Sequence, residues 1–223
     1  MMDGILKLRG VNLNLKSDAG AVHILKDVSL DIPSGKTVSI TGPSGSGKTT
    51  LLMVFSGLEK ASSGVVSVAG QDLGGLSEDA LALFRRDNIG IVFQNFHLIP
   101  TMTALENTAI PLEFAGARDA FRRAEEALAA VGLAERTRHY PSQLSGGEQQ
   151  RVAIARAFAT SPRLILADEP TGNLDAETGE KVMKIMFDLT RKNNTTLVLV
   201  THDAALAARC DMTIKIRDGR ILS

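Results

Sequence analysis

Thr37-Val38-Ser39-Ile40-Thr41-Gly42-Pro43-Ser44-Gly45-Ser46-Gly47-Lys48-Thr49-Thr50 joins a β-branched strand to a glycine-rich loop that opens an apolar helix over residues 49–55. The loop matches G-x-x-x-x-G-K-[ST], and a strand before it with a helix after it is the setting in which that pattern binds phosphate. Glycines let the backbone curl so that successive N–H groups point inward. The helix N-terminus adds its positive dipole end. Lys48 is suited to neutralise β- and γ-phosphates, and the Thr49 hydroxyl to bind Mg²⁺. A flexible turn would explain the glycines, but not strand, loop, Lys-Thr pair and helix in this order. Gly42, Pro43, Ser44, Gly45, Ser46, Gly47, Lys48, Thr49 and Thr50 are therefore expected to hold a nucleoside triphosphate.

On the N-terminal side, residues 5–8, 11–15 and 28–32 read as short strands, with a Pro33-Ser34-Gly35 turn after the last. Residues 65–68 continue the strand pattern, and Ser77 is placed to cap a helix to about Arg86. After a strand over 89–93 the chain turns helical as far as about Thr160. Thr103 with Glu106 and Ser145 with Glu148 form capping boxes. Phe121, Leu128 and Val131 mark one helix face that stops at Gly132. The last third alternates again: strand 164–167, helix 176–192, strand 195–200, helix 204–209. Strands 213–216 and 220–222 then flank the hairpin signal Asp218-Gly219. Short apolar strands between helices point to a parallel sheet covered by helices. The expected class is α/β, a P-loop NTPase core on a parallel sheet with an N-terminal antiparallel β subdomain and an inserted helical subdomain. One domain over 1–223 is expected, with 1–94 and 161–223 as the nucleotide-binding core and 95–160 as the helical lobe.

Leu164-Ile165-Leu166-Ala167-Asp168-Glu169 is an apolar strand ending in two carboxylates. In sheets of this kind ligands lie beyond the C-terminal strand ends. Asp168 can hold Mg²⁺ directly or through water, and Glu169 can polarise the attacking water. Two solvated acids at a strand end would be the plainer reading without the phosphate loop. His202, in Thr201-His202-Asp203 after the strand 195–200, can hydrogen-bond a γ-phosphate or position Glu169. Gln94 ends the strand 89–93 and can bind Mg²⁺ or the attacking water. Either side chain would also serve as an ordinary polar residue at a strand end.

Leu144-Ser145-Gly146-Gly147-Glu148-Gln149-Gln150-Arg151 resembles the signature motif of ABC ATPases, and it lies between the phosphate loop and Asp168-Glu169. Ser145 caps a helix whose first turn carries two helix-destabilising glycines, Gly146 and Gly147, with N–H groups open to an anion. The resemblance covers nearly the whole chain. It places Gln94 in the Q-loop, Asp168-Glu169 in Walker B, Asn173-Leu174-Asp175 in the D-loop and His202 in the H-loop. It implies two copies paired head to tail, with each ATP between one phosphate loop and the other copy's Ser145, Gly146, Gly147 and Glu148. A finer likeness is to the bacterial subfamily of lipoprotein-releasing and macrolide-exporter ATPases. Residues 42–50, Phe93-Gln94-Asn95-Phe96-His97-Leu98-Ile99-Pro100, Leu105-Glu106-Asn107 and Ala167-Asp168-Glu169-Pro170-Thr171-Gly172-Asn173-Leu174-Asp175 carry it; Ala207-Ala208-Arg209-Cys210-Asp211 is similar to one exporter branch. That likeness implies an integral membrane permease-like partner and a place on the cytoplasmic face of the bacterial inner membrane. One position departs from the pattern: Leu15 stands where the family usually has an aromatic residue against adenine.

Composition bounds the alternatives. The 223 residues hold 25 Lys+Arg against 25 Asp+Glu, so no global basic field favours nucleic acid. This argues against a soluble ABC ATPase acting on DNA or ribosomes. The signature helix argues against a P-loop kinase or switch GTPase. No apolar run approaches the ~18 residues of a spanning helix, and Met1-Met2-Asp3-Gly4 lacks signal-peptide character. The lone Cys210 is expected to be a small filler in a reducing compartment.

Overall fold

The structure is a computed structural model and describes residues 4–17 and 20–222. The chain forms two compact units. The first runs to Arg85 and resumes at Thr196; the second is Arg86–Thr195.

The first unit holds an antiparallel sheet of β1 (Gly4–Ser17), β2 (Gly20–Pro33), β4 (Ser63–Val68) and β5 (Gln71–Asp72), in the order β2-β1-β4-β5. Three short strands were expected up to Pro33, and two long ones are found. Leu6 and Leu8 face inward, then Val11 and Leu13, so the inward parity changes once along β1. A register shift between Leu8 and Val11, at Gly10 with φ 58°, absorbs the extra residue and keeps the apolar set on one face. A second irregularity at Asp27, φ 53°, does the same for Leu25 and Val28 in β2; Asn12 Oδ1 accepts its N–H at 3.0 Å.

In the same unit β3 (Thr37–Thr41) lies between two parallel partners, β8 (Thr196–Val200) and β9 (Met212–Arg217). All of β8 is buried, as its continuous apolar run requires. The base of β3 is pinned by Asp211, whose Oδ2 accepts from the Thr37 N–H at 2.8 Å and the Thr37 hydroxyl at 2.9 Å. β10 (Arg220–Leu222) folds back on β9 about Asp218-Gly219, the expected hairpin. Helix α1 (Lys48–Phe55) follows the phosphate loop, and α7 (Ala204–Ala208) follows β8. Ser77 Oγ accepts the Ala80 N–H at 3.3 Å at the start of α2 (Glu78–Asn88).

The second unit pairs β6 (Ile89–Phe93) in parallel with β7 (Leu164–Asp168) and adds α3 (Ala104–Phe114), α4 (Ala120–Ala130), α5 (Gly146–Phe158) and α6 (Ala176–Lys192). Both capping boxes form, Thr103 with Glu106 and Ser145 with Glu148. Ala109, Leu112, Ala120, Ala124 and Ala159 make a buried cluster in which small side chains let the helices approach closely. Among the described residues, no helix is long and apolar enough to cross a membrane.

The stretch before α3 is organised by Asn107, which is fully buried. Its Oδ1 accepts the Ile99 N–H at 2.8 Å, while Nδ2 donates to the carbonyls of Ile99, Met102 and Thr103 at 3.1, 2.9 and 3.0 Å. Removing this amide takes a partner from the Ile99 N–H and from the carbonyls of Ile99, Met102 and Thr103. Asn107→Ala is expected to cost about 2–3 kcal/mol and to lower Tm by about 5–10 °C in thermal unfolding. An unchanged Tm would show that the loop holds its shape without Asn107.

Candidate functional site

Of the residues singled out in the sequence, Gly42, Pro43, Ser44, Gly45, Ser46, Gly47, Lys48, Thr49, Thr50 and His202 lie in the first unit. Gln94, Ser145, Gly146, Gly147, Glu148, Asp168, Glu169, Asn173, Leu174 and Asp175 lie in the second.

In the first unit the phosphate loop leaves the C-terminal end of β3, and His202 leaves the C-terminal end of its parallel neighbour β8. Ile40 pairs with Val200 in that ladder, so both segments emerge from one edge of the sheet. Helix α1 starts after Gly47, which is left-handed at φ 100° and supplies no side-chain cap, and its first turn holds no acid. The N–H groups there are thus left without the usual Ser, Thr or Asp oxygen. Ser46 Oγ is buried with no hydrogen-bond partner among the described residues. Lys48 is nearly buried, and its Nζ donates to the carbonyls of Gly42 at 2.9 Å and Pro43 at 2.8 Å, which holds the loop curled. The β9–β10 turn braces the loop from outside: the Gly219 N–H donates to Ser46 O at 3.2 Å, and Gly219 O accepts from the Lys26 N–H at 2.8 Å. An uncapped helix start, a buried unpartnered hydroxyl and a fixed ammonium fit a polyphosphate.

His202 is exposed between two fixed neighbours. The Thr201 N–H donates to Ile40 O at 3.3 Å, and Asp203 caps α7 by accepting from Ala205 N at 2.7 Å and Leu206 N at 3.2 Å. Its backbone is therefore held while the imidazole remains accessible.

In the second unit Gln94 and Asp168 stand at the C-terminal ends of paired strands, with Phe93 opposite Asp168 in the ladder. Glu169 follows at φ 45°, a left-handed conformation costly for a residue with a Cβ. The turn Glu169–Leu174 sustains it through Gly172 N–H to Glu169 O at 2.9 Å and Leu174 N–H to Thr171 O at 3.0 Å. Such an outlier directly after the Asp168 carboxylate is where strain tends to serve function.

At the start of α5, Ser145 Oγ accepts the Glu148 N–H at 3.3 Å, and Glu148 Oε2 accepts the Ser145 N–H at 2.9 Å. That backbone bond, joined by the Ser145 hydroxyl and Arg136 at 3.1 Å, holds the Glu148 carboxyl below the usual carboxylate range. The stabilisation is present above the unfolded carboxylate pKa and is lost as pH falls through the lower folded value. Gly147 also has a packing reason to be glycine, because a Cβ there would lie 2.4 Å from Thr178 Cγ2 on α6. At the start of α6, Asp175 accepts the Thr178 N–H at 2.9 Å, which lowers its pKa in the same way.

Two residues of α5 that the sequence left without a role prove central. Gln150 is fully buried, and its Nε2 donates to Pro170 O at 2.6 Å and Phe93 O at 3.4 Å; its Oε1 has no partner among the described residues. Arg156 donates to the carbonyls of Phe96 at 2.9 Å and His97 at 2.7 Å, two successive residues at positive φ. Burial lowers its pKa. A glutamine on the otherwise apolar face formed with Gly147, Ile154 and Ala157 was the signal available in the sequence.

The ABC transporter family profile matches residues 25–172. The macrolide export ATP-binding/permease protein MacB of Escherichia coli K12 is 46% identical over 99% of this chain, which covers 34% of that protein. The chain thus spans about a third of the length of those curated relatives. The ABC transporter ATP-binding protein YbbA of the same organism, whose own function is uncharacterized, is 45% identical over 98% of this chain and 97% of its own. Among solved structures, the ATP-binding cassette MJ0796, seen as a dimer in a post-hydrolysis state bound to ADP and Pi, superposes with a TM-score of 0.90 at 43% identity, over 98% of this chain and 97% of that one. A second dimeric structure of MJ0796, a bacterial ABC transporter cassette, matches equally well. By the family match over residues 25–172 and an identity of 45% to a relative of its own length, this chain belongs to the ABC transporter family, as its ATPase domain.

Proposed function

We propose that the chain binds and hydrolyses ATP as the motor of a membrane complex, working as a head-to-tail pair of identical copies. The phosphate cradle carries this reading: an uncapped α1 behind left-handed Gly47, beside the buried unpartnered Ser46 hydroxyl. Residues 42–50 would take the triphosphate, with Lys48 neutralising its outer charges. Thr49 and Asp168, with Gln94, would hold Mg²⁺, which when bound offsets charge on the phosphates. Among the described residues no three His, Cys, Asp or Glu side chains cluster as a metal site. That suits a cation brought largely by phosphate oxygens, as Mg²⁺ usually is.

Glu169 would take a proton from the attacking water and His202 would orient the outer phosphate or that water. Ser145, Gly146, Gly147 and Glu148 would meet the ATP held by the other copy, and Asn173, Leu174 and Asp175 would line the dimer contact. The dimeric MJ0796 cassettes support this arrangement. Residues 95–160 would act as the lobe that passes movement to an integral membrane permease-like partner, at the cytoplasmic face of a bacterial inner membrane. MacB, described as a macrolide exporter, supports a partner of the exporting, lipoprotein-releasing or force-transmitting kind, and the partner would select the substrate. No role on nucleic acid is proposed for this chain of zero formal net charge.

Glu169→Gln is expected to bind ATP normally, accumulate as a dimer in gel filtration with ATP, and hydrolyse more slowly by on the order of 10²-fold or more. Wild-type turnover in that variant would remove Glu169 as the base. Lys48→Ala should fail earlier, with nucleotide binding lost in a direct titration; retained affinity would overturn the cradle.

Leu15 pairs with Val22 across β1 and β2, and both aliphatic side chains are exposed. A base on an aromatic ring gains ~1–3 kcal/mol, which Leu15 forgoes, and two aliphatic side chains offer the base edge no hydrogen bond, so ATP and GTP should be poorly separated. Leu15→Tyr is expected to tighten ATP binding by about tenfold. A strong ATP preference that the substitution leaves unchanged would refute this account.

A further inference from the structure

An amide side chain has one end that accepts and one that donates, and its orientation is read from the groups around it. Around Gln94 a main-chain group settles the matter. Asn173 Nδ2 lies 3.2 Å from the main-chain carbonyl of Gln94, which can only accept, so that end of Asn173 is its NH₂. The same nitrogen lies 2.8 Å from Asn95 Oδ1. The Asn173 oxygen is therefore the end facing the Gln94 side chain, and Gln94 meets it with Nε2 at 3.1 Å. Gln94 Oε1 is left as the end not committed to Asn173. Gly172 makes the approach possible, since a Cβ there would lie 2.7 Å from Gln94 Nε2 and 3.0 Å from its Cδ.

The segment carrying Gln94 is fixed on its other side by α5. Gln150 donates to Phe93 O, and Arg156 to Phe96 O and His97 O, so both ends of the short stretch are tied. The amide orientation then depends on Asn173.

We propose that Asn173 is a positioning residue acting within its own chain, fixing the Gln94 amide so that oxygen rather than NH₂ is presented to incoming groups. This rests on the reading of Gln94 as a contact to Mg²⁺ or to the attacking water. Mg²⁺ takes oxygen ligands, and a water acting as nucleophile donates to an oxygen acceptor. A flipped Gln94 would offer both of them N–H groups instead. The role adds to the dimer contact proposed for the segment 173–175 and needs no second copy.

The first test is made without nucleotide. In ¹⁵N–¹H spectra of the whole chain, the Gln94 side-chain NH₂ pair is identified by its loss in Gln94→Ala. It should be shifted from the position of a solvent-exposed glutamine in wild type and return to that position in Asn173→Ala. Gly172→Ala, which crowds Nε2 while leaving Asn173 intact, should displace the same pair. An unmoved pair in Asn173→Ala overturns the proposal.

The second test is kinetic. Asn173→Ala and Gln94→Ala are each expected to lower kcat by about 10- to 100-fold with little change in KM for ATP, and the double variant should be no slower than Gln94→Ala. Additive losses overturn the positioning role while leaving Gln94 in the site. Wild-type turnover in Gln94→Ala would instead overturn the reading of Gln94, and the spectra would still decide whether Asn173 orients its amide. Thermal unfolding of Asn173→Ala is expected to stay near wild type, because Asn173 is exposed.

Discussion

A helix start that the chain declines to cap is the constraint on which the first unit is built. Helices α3, α5, α6 and α7 open on Thr103, Ser145, Asp175 and Asp203, each of which accepts a hydrogen bond from the first turn. Helix α1 opens on Gly47, which accepts none through a side chain. Leaving such N–H groups unfilled costs stability, and the surrounding structure is arranged to bear that cost. Lys48 ties down two loop carbonyls, the Gly219 N–H holds Ser46 O, and Asp211 anchors the base of β3 through Thr37. The C-terminal hairpin is thus part of the support of the phosphate loop, not a decoration at the end of the chain.

The second unit is held at its functional edge by neutral amides and one guanidinium on carbonyls. Gln150 and Asn173 each join segments distant in sequence, Arg156 does the same for two carbonyls at positive φ, and Asn107 closes the loop just before α3. Apart from Arg136 with Glu148 at the start of α5, ion pairs of this unit such as Arg122 with Glu126 on α4 and Lys181 with Glu177 on α6 are exposed. Exposed pairs of this kind are worth about 0–1 kcal/mol and weaken with salt. Amide bonds depend on geometry more than on ionic strength, so segments 93–97 and 169–174 are kept in register by directional contacts. The strained Glu169 and the Phe96-His97 pair sit within this framework, which is what lets such conformations persist.

Much of this was legible in the sequence wherever chemistry is local. The phosphate loop, both capping boxes and the Asp218-Gly219 hairpin each depend on residues within a few positions of one another, and all form. The strands β6, β7 and β8 were legible because buried parallel strands are continuous apolar runs. The first half of β2 was not, since Val22 and His23 are exposed and Asp27 breaks the alternation where it enters the left-handed region. The joints of the second unit were hidden for another reason. Asn173 reaches back 79 positions to Gln94, and Gln150 reaches back 57 to Phe93. No local pattern encodes which amide meets which carbonyl. Gly147 illustrates the limit well: its sequence context spoke for anion binding, while its contact with Thr178 adds a packing demand visible only in three dimensions.

The proposed nucleotide site is uneven in how it divides recognition. At the base end stands exposed Leu15 opposite exposed Val22, two aliphatic side chains that offer apolar contact and no hydrogen bond. At the phosphate end stand an uncapped helix, a buried ammonium and a buried hydroxyl. Positive and negative formal charges balance over the whole chain, so attraction for a polyanion cannot come from a global field. It has to be built from short-range donors aimed at one place. A site of that design senses the length and charge of the phosphate chain far better than the identity of the base. For a motor that is the useful discrimination, because the event it must detect is loss of the terminal phosphate, and that event changes nothing at the base.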